Sequence, residues 1–367
     1  MIKKSKNIII FMPFIGIGGV EKNLFIISNY LVKKVKNLSI CTVSKDKKKK
    51  FDKKIQFISP KKKFFENLSI RIKYLVCLFL LLKIFLKKKN IVVISFQANI
   101  YCILLCKLFN IHIIVRSNSS PSGWSHNIFK NYLYKSIISM ADEVIVNSED
   151  FKKEMEKKFK IRVNCIYNPL DVSKIKRESS STIKNIFFKK NNLKLINIGR
   201  LTEQKDQLTI LKAINKLQNK INVQLIIIGR GKERSNLSNY INRNNLNKII
   251  KIIKPNKNVY SYLKASDLFV LSSKYEGLPN VLLEAATLKK FIISTNCPTG
   301  PREILDNGKN GLFFKIGDFE DLSRKVLFYY KNKNKLKIKT KTLYKSLEKF
   351  NFDKNLNKYW KIVNNYI

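Results

Sequence analysis

The strongest constraint on the fold is a repeated alternation of short β-branched runs with helical patterns. Residues 8–11, 38–43, 91–96, 111–115, 144–147 and 163–167 are runs of strand length, most of them apolar throughout. Between them, residues 21–33, 99–108 and 129–140 carry apolar side chains at helical spacing. Strands apolar on both faces and separated by helices predict a parallel sheet covered on both sides. The alternation pauses in a polar stretch, residues 173–192, with four small hydroxylated residues at 179–182, which reads as a linker. It resumes with strand-like runs at 195–198, 224–228, 268–271 and 291–294.

A chain of 367 residues suits two such units. The expected fold class is α/β, with two similar doubly wound domains. Their expected bounds are 1–176 and 193–345, joined by a linker at 177–192. Residues 346–367 carry Phe, Leu, Tyr and Trp at helical spacing and are expected as a C-terminal helix packing back on the first domain.

Two segments imitate membrane signals. The basic, then apolar, N-terminus resembles a signal peptide, but its apolar run is rich in Ile and ends in glycines, as a buried strand entering a tight turn does. Residues 68–86 are strongly apolar, yet Arg71, Lys73 and Lys83 interrupt them and Lys87, Lys88 and Lys89 follow. The longest uncharged run, residues 74–82, falls far short of the roughly 20 residues that span a bilayer. The segment reads as a helix that is mostly core, with its basic ends near a membrane; a basic, apolar helix dipping into anionic lipid is the other reading.

The charge narrows the partners. Lys+Arg is 73 against 25 Asp+Glu, a formal net charge of +48. Nucleic acid, an anionic membrane and a phosphorylated substrate are all attracted by such a surface. Only 10 of the 73 cations are Arg, and Lys, Asn and Ile together also follow from A/T-rich codons. A nucleic-acid reader favours Arg, and no RRM, KH, helix-turn-helix or zinc pattern is present, so no nucleic-acid partner is expected. The six cysteines include no C-x-x-C and read as buried free thiols; Cys102 and Cys106 share a helix face but do not complete a metal site.

The chemistry-bearing residues sit in four turns. Gly16, Gly18 and Gly19 follow the first strand run and precede a helix, a setting that brings backbone amides and a helix N-terminus to an anion, or simply makes a tight turn. A dinucleotide fingerprint fails there, because Glu21 stands where the third glycine is required. Arg200 and Lys205 follow the strand run at 195–198, where open α/β sheets bind ligands, and two cations across a turn can grip a diphosphate or remain solvated. The third turn runs from Tyr275 through Glu276, Gly277, Leu278, Pro279 and Asn280 into an apolar helix containing Glu284. Pro279 is expected in that helix's first turn. A carboxylate inside the helix can accept hydrogen bonds from a ribose diol, and one before it faces another part of the same ligand. The fourth turn, residues 297–303, repeats the strand, Gly/Pro turn and helix pattern. No Asp-x-Asp occurs in the chain, so no metal-clamped diphosphate is expected: metal, none; cofactors, none.

Taken together, residues 199–206, residues 266–280 with the Glu276/Glu284 pair, and residues 298–305 resemble retaining glycosyltransferases of the GT-B fold, family 4. Residues 116–118, 166–169 and 297–300 resemble a bacterial subgroup that extends lipid-linked or cell-surface glycans. The resemblance implies two Rossmann-like domains facing across a cleft. It implies transfer of a hexose or N-acetylhexosamine from a UDP-linked nucleotide sugar to a polyprenyl-linked or surface-glycan acceptor, by a metal-independent enzyme that is cytoplasmic and peripheral on the inner face of the membrane, with the anionic membrane surface as a partner. Carried over residue by residue, Arg200 and Lys205 are implied to bind the diphosphate. Glu276 is implied to contact the transferred sugar and Glu284 to hold the ribose. Gly277, Leu278, Pro279 and Asn280 are implied to offer amides to sugar and phosphate, with Gly16, Gly18 and Gly19 closing over the diphosphate. Glu276, Arg200 and Lys205 are the implied catalytic set, and the base is implied to rest near residues 254–256. The family's usual first-domain histidine is missing, with Arg116 or Asn118 implied in its place on the acceptor side. His112 reads as structural and His126 as a loop residue. A polyanion-binding protein, a nicotinamide oxidoreductase and a GT-B epimerase or phosphorylase are the competing readings.

Overall fold

The computed structural model describes residues 6–16, 18–118, 128–183, 187–255 and 259–367. The chain divides into an N-terminal unit, residues 1–169 with 353–367, and a C-terminal unit, residues 170–352. Each is described by itself.

The N-terminal unit runs β1 (Asn7–Phe11), α1 (Gly19–Leu31), β2 (Leu38–Cys41), β3 (Gln56–Ile58), α2 (Ile70–Phe85), β4 (Ile91–Ser95), α3 (Asn99–Leu108), β5 (His112–Arg116), α4 (Ile128–Ile138), β6 (Glu143–Val146), α5 (Glu149–Phe159) and β7 (Asn164–Cys165). Its seven strands are parallel in the order β3-β2-β1-β4-β5-β6-β7. The C-terminal unit follows with α6 (Val172–Glu178), β8 (Leu193–Ile198), α7 (Gln207–Leu217), β9 (Val223–Ile228), α8 (Arg234–Arg243), β10 (Ile250–Ile253), α9 (Val259–Ala265), β11 (Leu268–Leu271), α10 (Asn280–Thr287), β12 (Phe291–Thr295), α11 (Pro301–Ile304), β13 (Leu312–Phe314), α12 (Phe319–Lys331) and α13 (Lys333–Lys345). Its six strands are parallel in the order β10-β9-β8-β11-β12-β13. The last helix, α14 (Phe352–Asn364), buries Leu356, Tyr359 and Val363.

The β-branched runs are strands because both faces are buried: every residue of β4, β9, β11 and β12 is buried. In the N-terminal unit, Ile9 and Phe11 of β1 join one apolar core with Val93, Ile113 and Val115, closed by the inner sides of α2, α3, α4 and α5. In the C-terminal unit, alternate residues of β8, β9 and β11 build a second core against α7, α8 and α12.

Two expectations change. The polar stretch expected as a linker begins as α6, because Asp171 accepts a hydrogen bond from the Lys174 amide at its start and Ile175 is buried. The apolar segment at 68–86 is helical, but it is not mostly core. Only Lys73, Cys77, Leu81 and Phe85 of α2 are buried, a single stripe at i,i+4 spacing, and Ile72, Leu75 and Phe79 are exposed. Lys73 lies on the inward stripe with its ammonium 4.4 Å from the centre of the Phe14 ring. Among the described residues no helix is long and apolar enough to cross a membrane.

Candidate functional site

In the C-terminal unit, β8 and β11 are neighbours in the sheet although β9 and β10 separate them in sequence. Chain connections run outward in opposite directions from this point, and in open α/β sheets ligands bind at the carboxyl ends of the strands at such a point. One loop carries Arg200 and Lys205, and the other carries residues 272–279. Arg200 is exposed, and among the described residues it makes no ion pair. Lys205 Nζ reaches across to Glu276 Oε1. The Ser273 hydroxyl donates to the same carboxylate oxygen at 2.6 Å. The two charged side chains are only 15% and 8% exposed, so each is the other's main source of neutralisation.

The loops are also stitched through their backbones. Ser272 Oγ donates to the Lys205 carbonyl at 2.7 Å, Gln204 Nε2 to the Tyr275 carbonyl at 2.8 Å, and the Lys274 amide to the Gln204 carbonyl at 2.8 Å. A third loop, after β12, closes on them. Thr299 Oγ1 donates to the Glu276 carbonyl at 2.6 Å, and Thr295 Oγ1, at the end of β12 itself, to the Ser273 carbonyl at 2.7 Å. Gly300, at φ +62°, lies so near this loop that a Cβ would fall 1.8 Å from the Gly277 carbonyl oxygen, so no other residue fits. Thr299 itself holds φ +60°, a costly conformation for a β-branched residue that persists because its hydroxyl is bonded down.

Leu278 and Pro279 are buried. Pro279 is the residue before α10 rather than one inside its first turn, and Asn280 opens the helix. Glu284 is buried in α10 among Leu282, Leu283, Ala285 and Ala286. Cys297 is buried beside this cluster. Burial pushes its thiol up to about 12, and the Glu276 carboxylate adds to the effect, so the group is a neutral thiol rather than a nucleophile. The residues that sequence reading passed over are the hydroxyls Ser272, Ser273 and Thr299. The available signal was a Ser-Ser pair at the carboxyl end of a buried strand.

The N-terminal unit treats its expected site residues differently. Gly18 caps α1, which starts at Gly19, and a Cβ on Gly18 would lie 2.8 Å from Glu21 Oε2. A Cβ on Gly16 would lie 3.2 Å from Glu21 Oε1. A carboxylate of the chain itself therefore sits against the glycine turn at this helix N-terminus. Arg116, expected to face an acceptor, is instead fully buried. Its Nε donates to Tyr359 Oη at 2.9 Å, Nη2 to Asn168 Oδ1 at 2.7 Å and Nη1 to Asn118 Oδ1, while its guanidinium lies 5.4 Å from the Phe96 ring centre. Asn118 donates in turn to the Phe96 carbonyl at 2.9 Å. Arg116 thus clamps β5, the 166–169 segment and α14 together, each guanidinium nitrogen holding a partner within the chain. His112 is exposed, with Nδ1 3.4 Å from Asp142 Oδ1 and its ring against Tyr366. Lys254 is exposed after β10; Asn256 and His126 lie outside the described residues. Among the described residues no group of three or more His, Cys, Asp or Glu is placed to hold a metal ion.

Residues 17–174 match the Glycosyltransferase Family 4 domain family, and residues 179–345 match the Glycosyl transferases group 1 family. Two glycosyltransferase family models thus match successive halves of the chain. An uncharacterized glycosyltransferase of Methanocaldococcus jannaschii is 36% identical over 219 residues, 55% of this chain and 53% of that protein. The N-acetylgalactosamine-N,N'-diacetylbacillosaminyl-diphospho-undecaprenol 4-alpha-N-acetylgalactosaminyltransferase of Campylobacter jejuni is 25% identical over 260 residues, 65% of this chain and 69% of that protein. The chain thus spans about half the length of the archaeal relative it matches. Among solved structures, Anabaena HepE in complex with UDP-glucose superimposes with a TM-score of 0.78 at 15% identity, covering 98% of this chain and 100% of that one. The fold is GT-B, with two Rossmann-like α/β domains.

Proposed function

We propose that this chain is a retaining, metal-independent glycosyltransferase that moves a hexose or N-acetylhexosamine from a UDP-sugar to a lipid-linked or cell-surface glycan acceptor. The observation that carries the reading is the cluster at the β8/β11 switch point: exposed Arg200, and the nearly buried Lys205 and Glu276 whose charges cancel each other. The Anabaena structure with UDP-glucose supports the donor class, and the name of the Campylobacter relative supports a diphospho-undecaprenol acceptor. The enzyme works in the cytoplasm, at the inner face of the membrane.

The chemistry follows from where charge develops. As the bond from the sugar C1 to the phosphate oxygen breaks, the departing diphosphate gains negative charge. Arg200 and Lys205 neutralise it from fixed positions, the service a divalent ion gives in other transferases. When Lys205 turns to the phosphate, Glu276 loses its cation in a nearly dry site and takes sugar hydroxyls as hydrogen-bond donors in its place, with Ser273 holding it in orientation. Glu284 accepts from the ribose diol. The acceptor hydroxyl forms the new bond to C1 on the face the diphosphate leaves, and its proton passes to the departing phosphate oxygen. Configuration at C1 is retained.

The test is an assay of UDP-glucose, UDP-N-acetylglucosamine and UDP-N-acetylgalactosamine against polyprenyl-diphosphate glycans, with the product anomer read by NMR. An α-linked product, insensitive to EDTA and absent with Glu276→Ala, supports the reading. A β-linked product contradicts the retaining mechanism. Sugar interconversion without transfer, or cleavage that requires phosphate, would instead mark an epimerase or a phosphorylase.

A further inference from the structure

Twelve of the eighteen exposed large apolar side chains among the described residues fall between Phe64 and Met140. They are gathered because α3 packs beside both α2 and α4, and the inner sides of all three helices close the same core. Cys77, Leu81, Cys102, Cys106, Ile137 and Ile138 point inward. The outward positions, which a helix on a soluble surface fills with polar residues, carry apolar ones. Leu75 is 65% exposed, Leu108 78% and Tyr132 71%, and Phe79, Leu104 and Leu133 are exposed as well.

The three helices themselves carry charge of one sign, and Lys107 of α3 is paired with Asp142 just beyond α4. None of the three helices contains an Asp or Glu, whereas Arg71, Lys83, Lys130 and Lys135 lie on them and Lys87, Lys88 and Lys89 follow α2 directly. Lys83 holds its ammonium 4.4 Å from the Phe79 ring centre, so cation and apolar ring are presented together. An apolar patch of this extent marks a partner. A second copy of the chain would press the same cations against each other, while a negatively charged lipid surface complements both features at once. At 16 residues α2 is too short to span a bilayer, so the face lies on the surface instead.

We propose that the outer face of α2, α3 and α4 docks on an anionic lipid bilayer, its apolar side chains entering the headgroup boundary and its lysines meeting lipid phosphates. The proposal deepens the reading of a lipid-linked acceptor and rests on it for its use, though the apolar and basic face stands independently.

The test is flotation of the full chain with vesicles of phosphatidylcholine alone and of equal parts phosphatidylcholine and phosphatidylglycerol. Wild type binds the anionic vesicles and far less of it binds the neutral ones. The variants Leu75→Gln/Leu104→Gln/Leu108→Gln and Lys87→Glu/Lys88→Glu/Lys89→Glu each bind anionic vesicles about tenfold more weakly or worse. Because these variants are read only if they fold, wild type is also crosslinked to a photoreactive phosphatidylglycerol, and the adducts fall on peptides from α2, α3 and α4. Equal binding to both vesicle types, unchanged binding of both variants, or adducts confined to other elements overturns the proposal. So does a wild-type dimer that the leucine variant converts to monomer. UDP binding, measured on the same samples, separates the two readings: its loss in wild type defeats the transferase assignment alone, and vesicle results judge the docking face alone.

Discussion

Lys205 and Glu276 lie 71 residues apart in the chain and form an ion pair in the C-terminal unit, with Ser273 bonded to the same carboxylate oxygen. The pair joins the two loops that leave the switch point of the sheet. It makes the site both a structural tie and a store of two opposite charges that a phosphate and a sugar can separate.

Removing one member leaves the other nearly buried and unpaired. Lys205→Ala and Glu276→Ala are each expected to lower stability by about 2–3 kcal/mol, less than a fully dry pair would show. Their double variant falls short of the sum by about 1 kcal/mol or more. Urea unfolding monitored on the C-terminal unit measures this; strictly additive losses would mean the pair does not couple.

The same substitutions separate in function. Glu276→Ala abolishes transfer, a loss of about a hundredfold or more in kcat, while Lys205→Ala mainly weakens the donor, raising its KM about tenfold or more. Ser273→Ala, which frees the Glu276 carboxylate to turn, lowers kcat more modestly. Steady-state kinetics with the accepted UDP-sugar decide this, and unchanged activity in both charged variants would remove the site assignment.

Cys297 supplies a pH readout. Burial first, and then the Glu276 carboxylate, hold its thiol up at about 12, so at pH 8 it resists alkylation in the folded protein. Glu276→Gln removes a negative charge that opposes the thiolate, so the pH at which Cys297 becomes reactive falls. Mass spectrometry of iodoacetamide-treated samples across pH 7–11 follows the peptide. A thiol that reacts at pH 8 as fast as in denatured protein contradicts this placement.

In the N-terminal unit, Asp142 accepts from the Ile113 amide and from Lys107 Nζ, both at 2.8 Å. Burial opposes its charge, but these bonds outweigh burial and hold its carboxyl below the usual range. A depressed pKa contributes stability that is present above the unfolded value of about 3.9 and is lost as pH falls through the folded value. Asp142→Asn is therefore expected to flatten the acid limb of the stability curve below about pH 4. A titration that leaves that limb unchanged would show that the group does not act there.

Arg116 and Tyr359 make a separate prediction. Tyr359→Phe removes one hydrogen bond to a buried guanidinium and is expected to destabilise the N-terminal unit by about 1.5–3 kcal/mol, while UDP affinity stays unchanged. Unchanged stability in Tyr359→Phe would contradict the clamp.

These residues show what a sequence reveals and what it withholds. β4 and β9 are legible because burial on both faces writes a continuous β-branched run. β3 and β13, at three residues each, are too short to carry a pattern. The helical character of α2 is legible, but a helix apolar all round does not say which stripe is inward, and the buried stripe includes a lysine. Arg200, Lys205, Glu276 and Glu284 stand out because charge at the end of an apolar strand or inside an apolar helix has a cost that calls for a partner. That Lys205 and Glu276 partner each other depends on strand order, which spacing does not encode. Arg116 looks ligand-facing for the same reason: its partner Tyr359 lies 243 residues further on.

The measurement that bears most directly on the central claim is a thermal shift of the purified chain with UDP, GDP, ADP and NADH, each with and without EDTA, in wild type and Lys205→Ala. The account predicts a rise with UDP alone, unaffected by EDTA and much reduced in the variant. No rise with any nucleotide in a folded sample, or an equal rise in wild type and variant, would contradict the assignment of Lys205 and Glu276 as the donor site.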